Sequence, residues 1–386
     1  MSQLAGPAVQ QEVSSVGEVQ DVVRDAASRG VALRVAGAGT WLRAGRPVDA
    51  ASTVVLRPLR GIVDYTPGDL TITAWAGTSL EELDDAVAEH AQWIALDPFG
   101  GRRGTLGATV ATASHGPLAA SFGTPRDVVL GVQCVTGDGE VVHGGARVVK
   151  HVAGFDLVRL MTGAWGTLGV ITQLTVRLRA RAPVDVTYAV TPGATSLRDW
   201  WPAYRAASVT PLAAELLSAG TARTLGVGQE MLLLVRVAGN DEAVSAQADA
   251  LRSLGAVHGV APDVWTRFAD SDPSEPVAAL RLSQRIKNVA AAWDDAMALA
   301  ADALDARVHA TVDRGVVRIV FPHLPEKELT ERLQRTSTAS TRVVEVLPAT
   351  LWPRLAPSSA RDALSTRIRA AFDPERRLNR GILGEA

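Results

Sequence analysis

The most constraining stretch of this chain is a glycine-spaced turn that runs directly into a β-branched strand. The turn extends from Gly163 to Gly169, and the strand covers residues 170–176. Glycines at this density mean that the backbone turns tightly or lies against something flat. Two further segments, 34–41 and 101–116, are similarly rich in glycine, threonine and other small residues. Together the three segments predict one large polyanionic cofactor held mostly by main-chain N–H groups.

Composition narrows the class of protein. A length of 386 residues suggests two to three domains, and a hydrophobic content of 47% is enough for full cores. The net charge of −2 gives no electrostatic footprint for nucleic acid or for an anionic membrane surface. The single cysteine, Cys134, excludes a disulfide framework and a cysteine-ligated metal site, and its apolar surroundings predict a buried side chain.

Targeting signals are not evident in the sequence. The N-terminus does not have the basic and apolar regions of a signal peptide. No uncharged apolar run reaches the roughly 18–20 residues that span a bilayer. We therefore expect a cytoplasmic protein without a membrane span, which would reach the inner membrane face only through partners.

Secondary-structure patterns predict an α+β fold in two parts. Residues 17–30 have helical spacing, and residues 127–145 read as a hairpin around a Thr-Gly-Asp-Gly turn. Proline-punctuated residues 181–193 are predicted to be a boundary. Beyond them, helical patterns alternate with β-rich runs, as in a ferredoxin-like cap of helices over an antiparallel sheet. The helical patterns are 196–208, 241–255 and 277–304, and the β-rich runs are 230–239, 306–323 and 341–348.

The glycine-rich segments do not fit the dinucleotide fingerprint of a Rossmann fold. In the segment 37–42 the third glycine position is Leu42, and Arg46-Pro47 prevents a helix from following. This segment is therefore either a plain turn or an anion-binding nest. The segment 104–116 is either a ligand-approaching loop with hydroxyl groups or a tightly packed strand of small residues.

Five ordered segments resemble the FAD-binding domain of the vanillyl-alcohol oxidase/PCMH flavoprotein family. Within that family, the string after Lys150 and the closing residues 372–381 resemble the FAD-binding subunits of bacterial glycolate oxidases. The resemblance is close over about residues 15–182 and looser beyond them. The five segments are 34–42, 65–83, 97–117, 124–145 and 148–172.

The resemblance implies a set of FAD-binding residues. The first pyrophosphate loop would be Ala36, Gly37, Ala38, Gly39 and Thr40, and the second would be Gly104, Thr105, Gly107, Ala108 and Thr109. The adenine and ribose end would be held by Gly169, Val170 and Ile171, and the flavin ring would lie toward His115, Gly116, Arg126 and Asp127. The tail would contribute Asn379, although this chain has Asn379-Arg380-Gly381 where the family usually has Asn-Pro-Gly.

Two departures from the family shape the expected chemistry. Covalent members attach FAD through a histidine where this chain has Thr40-Trp41, so we predict non-covalent FAD. Related hydroxyacid dehydrogenases carry a histidine-rich metal cluster and a Glu-His pair in the cap. The cap of this chain has His258, His309 and His323, without a Glu-His dipeptide. We therefore predict no metal site, with His309 and His323 in structural roles.

No catalytic residue follows from the sequence, and three candidates are weak: His115, Lys150 and His323. Lys150 is either a flavin-side cation that stabilises the reduced ring or a helix-capping surface residue. His151 is either a flavin-side polar group or a turn residue. Phe155 and Asp156 are expected to pack against and cap the helix that follows them.

Trp200, Trp201 and Trp352 lie outside the flavin motifs. They are predicted either to mark a partner interface or to fill the core of the cap.

The expected organisation is an FAD-binding domain over 1–182, a cap or substrate domain over 183–350, and a C-terminal helix and tail over 351–386 that returns to the FAD domain. The function implied is the FAD-binding or electron-transfer subunit of a glycolate oxidase-like 2-hydroxyacid dehydrogenase. Its partners would be a second flavin subunit and an iron–sulfur subunit. One alternative is a self-contained FAD oxidase or dehydrogenase of a small alcohol or hydroxyacid, with His115, His309 or His323 as the base. The other is a non-catalytic partner subunit with a vestigial flavin fold.

Overall fold

The computed structural model describes residues 9–145, 156–335, 340–356 and 362–384. Contacts divide these residues into two units. The first unit contains the described residues of 1–115, 122–181 and 358–386, and the second contains those of 116–121 and 182–357. The three-part division given above stays a prediction. Among the described residues, no helix has both the length and the apolar character needed to cross a membrane.

Strands dominate the first unit. They are β1 (Val9–Glu12), β2 (Leu33–Ala36), β3 (Ser52–Val55), β4 (Ile62–Thr66), β5 (Thr71–Trp75), β6 (Gln92–Trp93), β7 (Val129–Val135), β8 (Val141–Gly145), β9 (Val170–Arg177) and β10 (Arg179–Ala180). The helices up to residue 161 are α1 (Val16–Arg29), α2 (Leu80–Val87), α3 (Leu106–Thr112), α4 (Ala119–Phe122), α5 (Pro125–Val128) and α6 (Leu157–Met161).

A small parallel sheet forms the N-terminal lobe of the first unit. Its described strands have the order β1-β3-β2, and both pairings are parallel. Helix α1 begins at Ser15, whose side chain accepts a hydrogen bond from the Glu18 amide, and ends at Gly30, whose φ of 69° suits glycine. The buried positions of α1 recur at helical spacing and join the core of this sheet. The predicted helix over 17–30 is confirmed.

A larger antiparallel sheet forms the second lobe, with the order β4-β5-β9-β7-β8 among the described strands. Strand β9 lies at its centre and pairs with both β5 and β7. The predicted hairpin is confirmed: β7 and β8 pair around a turn in which the Gly139 amide donates to the Thr136 carbonyl. Cys134 is fully buried in this sheet, as its apolar neighbours predicted.

The second unit contains an eight-stranded antiparallel sheet in the described ranges, with the order β14-β11-β13-β12-β16-β17-β15-β18. Its strands are β11 (Val184–Thr191), β12 (Ala213–Leu217), β13 (Leu232–Gly239), β14 (Ala256–Val260), β15 (Ala278–Ser283), β16 (Arg307–Thr311), β17 (Val316–Phe321) and β18 (Thr341–Val346). The remaining helices are α7 (Leu197–Ala206), α8 (Ala219–Leu225), α9 (Asp241–Arg252), α10 (Val264–Ala269), α11 (Val289–Ala300), α12 (Glu326–Arg335), α13 (Trp352–Leu355) and α14 (Ala363–Phe372), the last of which belongs to the first unit.

The core of the second unit lies between one face of this sheet and the helices α7, α9, α11 and α12. Trp200, Trp201 and Trp352 are buried in that core. The indole N–H groups of Trp200 and Trp352 donate to the Leu254 and Leu347 carbonyls at 2.7 and 3.1 Å. These tryptophans therefore fill the cap core, and the suggested partner interface is wrong for them. The predicted α+β fold with helices over an antiparallel cap sheet is confirmed.

Three sequence expectations need correction. The helical pattern over 277–304 is instead strand β15 followed by helix α11, because residues 278–283 are held between β17 and β18. The segment 181–193 is a boundary only at its start, since residues 184–191 form a strand between β13 and β14. The segment 104–116 is not a strand, because Thr105 accepts a hydrogen bond from the Ala108 amide and thereby caps helix α3.

Candidate functional site

One cleft in the first unit gathers the glycine-rich segments. It encloses about 950 Å³, part of which is open to solvent. The end of β2 and the turn after it form one wall, the start of α3 forms a second, and the turn before β9 forms a third. The predicted cofactor residues that line this cleft are Ala36, Gly37, Ala38, Gly39, Thr40, Gly104, Thr105, Gly107, Ala108, Thr109, Gly169, Ile171 and Asn379.

Five predicted cofactor residues lie outside this lining. Val170 is fully buried in the core beside the parallel sheet. The Asp127 carboxylate accepts from the Thr124 amide and hydroxyl and so caps α5, while Arg126 on the same helix is exposed. The His115 ring contacts the Ala113 carbonyl at 2.8 Å through Nδ1. The fifth, Gly116, is grouped with the second unit.

The first wall is packed too tightly for a side chain at Gly37. A Cβ atom placed there would lie 2.2 Å from Thr105 Oγ1. Glycine at this position therefore lets the first and second glycine segments touch. The guanidinium of Arg34 donates to the Leu42 carbonyl and closes the turn that contains Gly37.

The electrostatics of the cleft favour an anion. Among the described residues that line it, Arg34 is the only charged one. Burial lowers the pKa of the Arg34 guanidinium from its ordinary value, but an arginine stays protonated at physiological pH. The cleft therefore has one fixed positive charge and no carboxylate among its described lining residues.

The second wall lets a ligand approach the backbone closely, but several of its amides already donate hydrogen bonds within the protein. The amides of Gly104, Gly107 and Thr109 donate to the carbonyls of Gly101, Ala76 and Thr105 at 2.9–3.1 Å. The Ala108 amide donates to Thr105 Oγ1 at 3.3 Å. The sequence predicted main-chain donors here, whereas these amides already have protein acceptors. What they present to a ligand is a surface of small residues.

Residue Arg102 anchors the loop that leads into this wall. Its guanidinium donates to the Leu96 carbonyl at 2.8 Å and the Leu80 carbonyl at 3.3 Å, and it pairs with the Asp84 carboxylate. The same carboxylate accepts from the Ile94 amide at 3.0 Å. Nothing in the sequence pattern singled out this anchor, because its partners are separated along the chain and meet only in the fold.

The C-terminal tail completes the third wall through Asn379. Its Oδ1 accepts from the Val35 amide at 2.7 Å, and its Nδ2 donates to the Trp165 carbonyl at 2.6 Å. The side chain therefore joins β2 to the turn before β9. At Gly166 a Cβ atom would lie 2.7 Å from Asn379 Nδ2, so glycine there leaves room for the amide. The preceding residue, Leu378, forms a parallel bridge with Leu33.

Two indole rings also line the cleft and were not predicted as binding residues. Trp41 and Trp165 stack with their centroids 5.9 Å apart and their planes at 29°. Trp165 has a backbone φ of 54°, in the left-handed region. That conformation costs a residue with a Cβ atom roughly 1–2 kcal/mol.

The structure describes only some of the weak catalytic candidates. Lys150 and His151 lie outside the described residues, as does Phe155, whereas Asp156 caps α6 by accepting from the Arg159 amide, as predicted. His323 is exposed just beyond β17.

His309 is buried in the second unit and contacts Glu215 Oε1 at 2.5 Å through Nδ1. The cap region of the sequence has no Glu-His dipeptide, yet neighbouring strands β12 and β16 bring this pair together. The Thr311 hydroxyl donates to the other Glu215 oxygen at 2.8 Å, and the Phe268 ring meets the His309 ring edge-on. Burial raises the pKa of Glu215. In the described ranges, no group of three or more His, Cys, Asp and Glu side chains is placed to hold a metal ion.

Comparison with known proteins identifies the cofactor. Residues 7–145 match the family model of an FAD binding domain. The chain is 38% identical over 160 residues to the glycolate oxidase subunit GlcE of Escherichia coli (strain K12), covering 41% of this chain and 45% of that protein. It is 30% identical over 165 residues to the D-lactate dehydrogenase of Archaeoglobus fulgidus, covering 43% of this chain and 37% of that protein. Each alignment thus spans less than half of the relative's length.

The whole fold has a solved counterpart. The structure of 4-ethylphenol oxidase from Gulosibacter chungangensis, in an isoeugenol complex, has a TM-score of 0.73 at 15% identity and covers 97% of this chain and 88% of that chain. At this identity the likeness concerns the fold alone. The domain match and the relatives show that the chain carries a PCMH-type FAD-binding domain, whose cofactor is FAD. The resemblance given by the sequence is confirmed.

Proposed function

We propose that this chain is an FAD-dependent oxidoreductase of the glycolate oxidase and D-lactate dehydrogenase type, with FAD bound non-covalently in the cleft. The observation that carries the proposal is the convergence of three glycine-rich segments on one cleft, whose single charged lining residue in the described part is Arg34. The similarity to FAD-linked relatives supports it from an independent direction.

The residues of the cleft fit a dinucleotide. The diphosphate would lie where Gly37 and Thr105 bring two walls into contact, with the charge of Arg34 nearby. Gly169 and Ile171 would hold the adenine end. FAD supplies hydride and electron chemistry that protein side chains lack. The work left to this chain is to bind the cofactor, orient it and restrict the access of water.

The residues at the first wall support non-covalent attachment. Where covalent members of the family place a histidine, this chain has Thr40 and Trp41. Neither side chain is a nucleophile suited to bonding a flavin methyl group. Both residues line the cleft.

The proposed substrate is a small 2-hydroxyacid, and the proposed role is that of a subunit in a larger assembly. The name of one relative, a glycolate oxidase subunit, supports both. Electrons leaving FAD toward an iron–sulfur cluster would need another chain, because such clusters are held mainly by several cysteines and this sequence has one. The partners would be a second flavin subunit and an iron–sulfur subunit.

Among the catalytic candidates, His115 is the one with a structural argument. It follows Ser114, which lines the cleft and accepts from the Phe99 amide at 3.1 Å. We therefore retain His115 as the candidate flavin-side polar group. Lys150 and His323 stay candidates from the sequence alone.

An anaerobic reduction experiment tests the proposed activity. The purified chain would be mixed with glycolate or D-lactate, and bleaching of the flavin absorbance would be followed with and without the partner subunits. A Gly37→Val variant, whose cleft is blocked, is the control for signal from free flavin. Reduction that requires the partners supports the subunit role, and reduction by the chain alone supports a self-contained dehydrogenase. A chain that takes up FAD but is reduced under neither condition would contradict the proposed substrate class.

A further inference from the structure

The backbone of Trp165 has a conformation that a bulky residue rarely adopts. Its φ is 54°, and its neighbours Gly163 and Gly166 also have positive φ values, of 79° and 67°. Glycine at position 165 would relax this turn, as it does at the two neighbouring positions. Backbone strain of this kind often accompanies a functional site, so the surroundings of the Trp165 ring decide whether it has a role.

The ring of Trp165 does not fill a hydrophobic core. It is half-buried and lines the cleft, as does Trp41, on which it stacks. A Cβ atom on Gly45 would lie 3.1 Å from Trp165 Cζ3 and 2.9 Å from Ile382 Cγ1. The ring therefore contacts Trp41 and is packed closely against Gly45, and it also forms part of the cleft lining.

We propose that Trp165, supported by Trp41, is a stacking platform for one of the two planar ring systems of bound FAD. This inference rests on the proposed function. FAD carries an adenine and an isoalloxazine, and each presents a flat π face on which an indole can stack. Losing one such aromatic stack weakens binding by roughly 5- to 150-fold. In this proposal the Trp165 side chain strengthens FAD binding and does not stabilise the fold.

The test separates binding from folding with a Trp165→Gly variant. Because glycine relaxes a positive φ, we expect the thermal midpoint of the cofactor-free variant to equal or exceed that of the wild type. We expect its Kd for FAD to rise about 10- to 100-fold, from the loss of the stack. Trp165→Phe, which keeps a ring, should restore most of the affinity. Ala91→Gly is the matched control, since exposed Ala91 has a φ of 51° and lies outside the cleft lining.

Two fragments of FAD identify the stacked ring. Titration with ADP reports on the adenine end, and titration with FMN reports on the isoalloxazine end. The platform predicts that Trp165→Gly weakens the binding of FAD and of one fragment only.

Unchanged FAD affinity in Trp165→Gly would overturn the proposal. So would a lowered thermal midpoint together with equal weakening of FAD, ADP and FMN, since that result describes a ring that only ties the cleft walls together. A Trp165→Asn variant, which also tolerates a positive φ, repeats the test if the glycine variant does not fold. A wild-type chain that binds no FAD would instead refute the proposed function itself.

Discussion

Replacing Asn379 with alanine should loosen the cofactor cleft, because this side chain joins two of its walls. The change removes the bond from the Val35 amide and the bond to the Trp165 carbonyl. Each buried polar group left without a partner costs about 1–3 kcal/mol. Both groups are partly buried, so we take the lower end, about 2 kcal/mol for the two together. Asn379 also has a φ of 46°, at which alanine adds about 1 kcal/mol of strain relative to glycine.

The expected destabilisation of the first unit is therefore about 3 kcal/mol for Asn379→Ala and about 2 kcal/mol for Asn379→Gly. Urea unfolding at a fixed FAD concentration, followed by the fluorescence of released flavin, reports on this unit. Asn240→Ala is the matched control. It removes an asparagine that caps α9 in the second unit, and it should leave flavin release unchanged. A loss of less than about 0.5 kcal/mol in Asn379→Ala would refute the role of the tail as a clamp on the cleft.

Three further substitutions test the contact between the cleft walls, the Arg102 anchor and the cap of α2. In Gly37→Val the new side chain clashes with Thr105, because a Cβ atom alone would lie 2.2 Å from the Thr105 hydroxyl. Equilibrium dialysis should therefore show no FAD uptake. Normal uptake would contradict the tight contact between the walls. Arg102→Leu removes the cationic partner of the partly buried Asp84 carboxylate and should destabilise the first unit by about 2–4 kcal/mol in urea unfolding. No change would show that the anchor is dispensable. Although burial acts in the opposite direction, hydrogen bonds from Ser79 lower the pKa of Glu82 to about 2. The stabilising effect of the ionised Glu82 is present above about pH 4.5 and is lost as the pH falls toward 2. The thermal midpoint of Glu82→Gln should therefore depend less on pH across that window than the midpoint of the wild type does. A pH profile equal to that of the wild type would contradict this assignment.

Local features of the fold could be predicted from the sequence. The turn from Gly163 to Gly169 and the strand after it depend on neighbouring residues, and the structure has both. The cap of α1 at Ser15 and Gly30 is local in the same way. The segment 277–304 could not be divided correctly, because its alanine-rich pattern fits a helix throughout. Only pairing with two distant strands makes residues 278–283 extended.

The parts of the candidate site that are rich in glycine could be predicted from the sequence. Contacts between residues that are distant along the chain could not be predicted, because no sequence spacing encodes them. Arg102 and Asp84 are 18 residues apart, and Glu215 and His309 are 94 residues apart on neighbouring strands. The strained Trp165 was visible as a tryptophan among glycines, but its φ and its stack on Trp41 require the folded backbone.

The absorbance spectrum of the purified chain tests whether it binds FAD and whether the bond is non-covalent. The sample would be measured as isolated and after incubation with FAD, then precipitated with acid so that the supernatant can be measured separately. A flavin spectrum that moves entirely into the supernatant is the predicted result, because the proposed binding is non-covalent. A flavin that stays with the precipitate would contradict non-covalent binding. A colourless chain that takes up no added FAD would contradict the cofactor site itself.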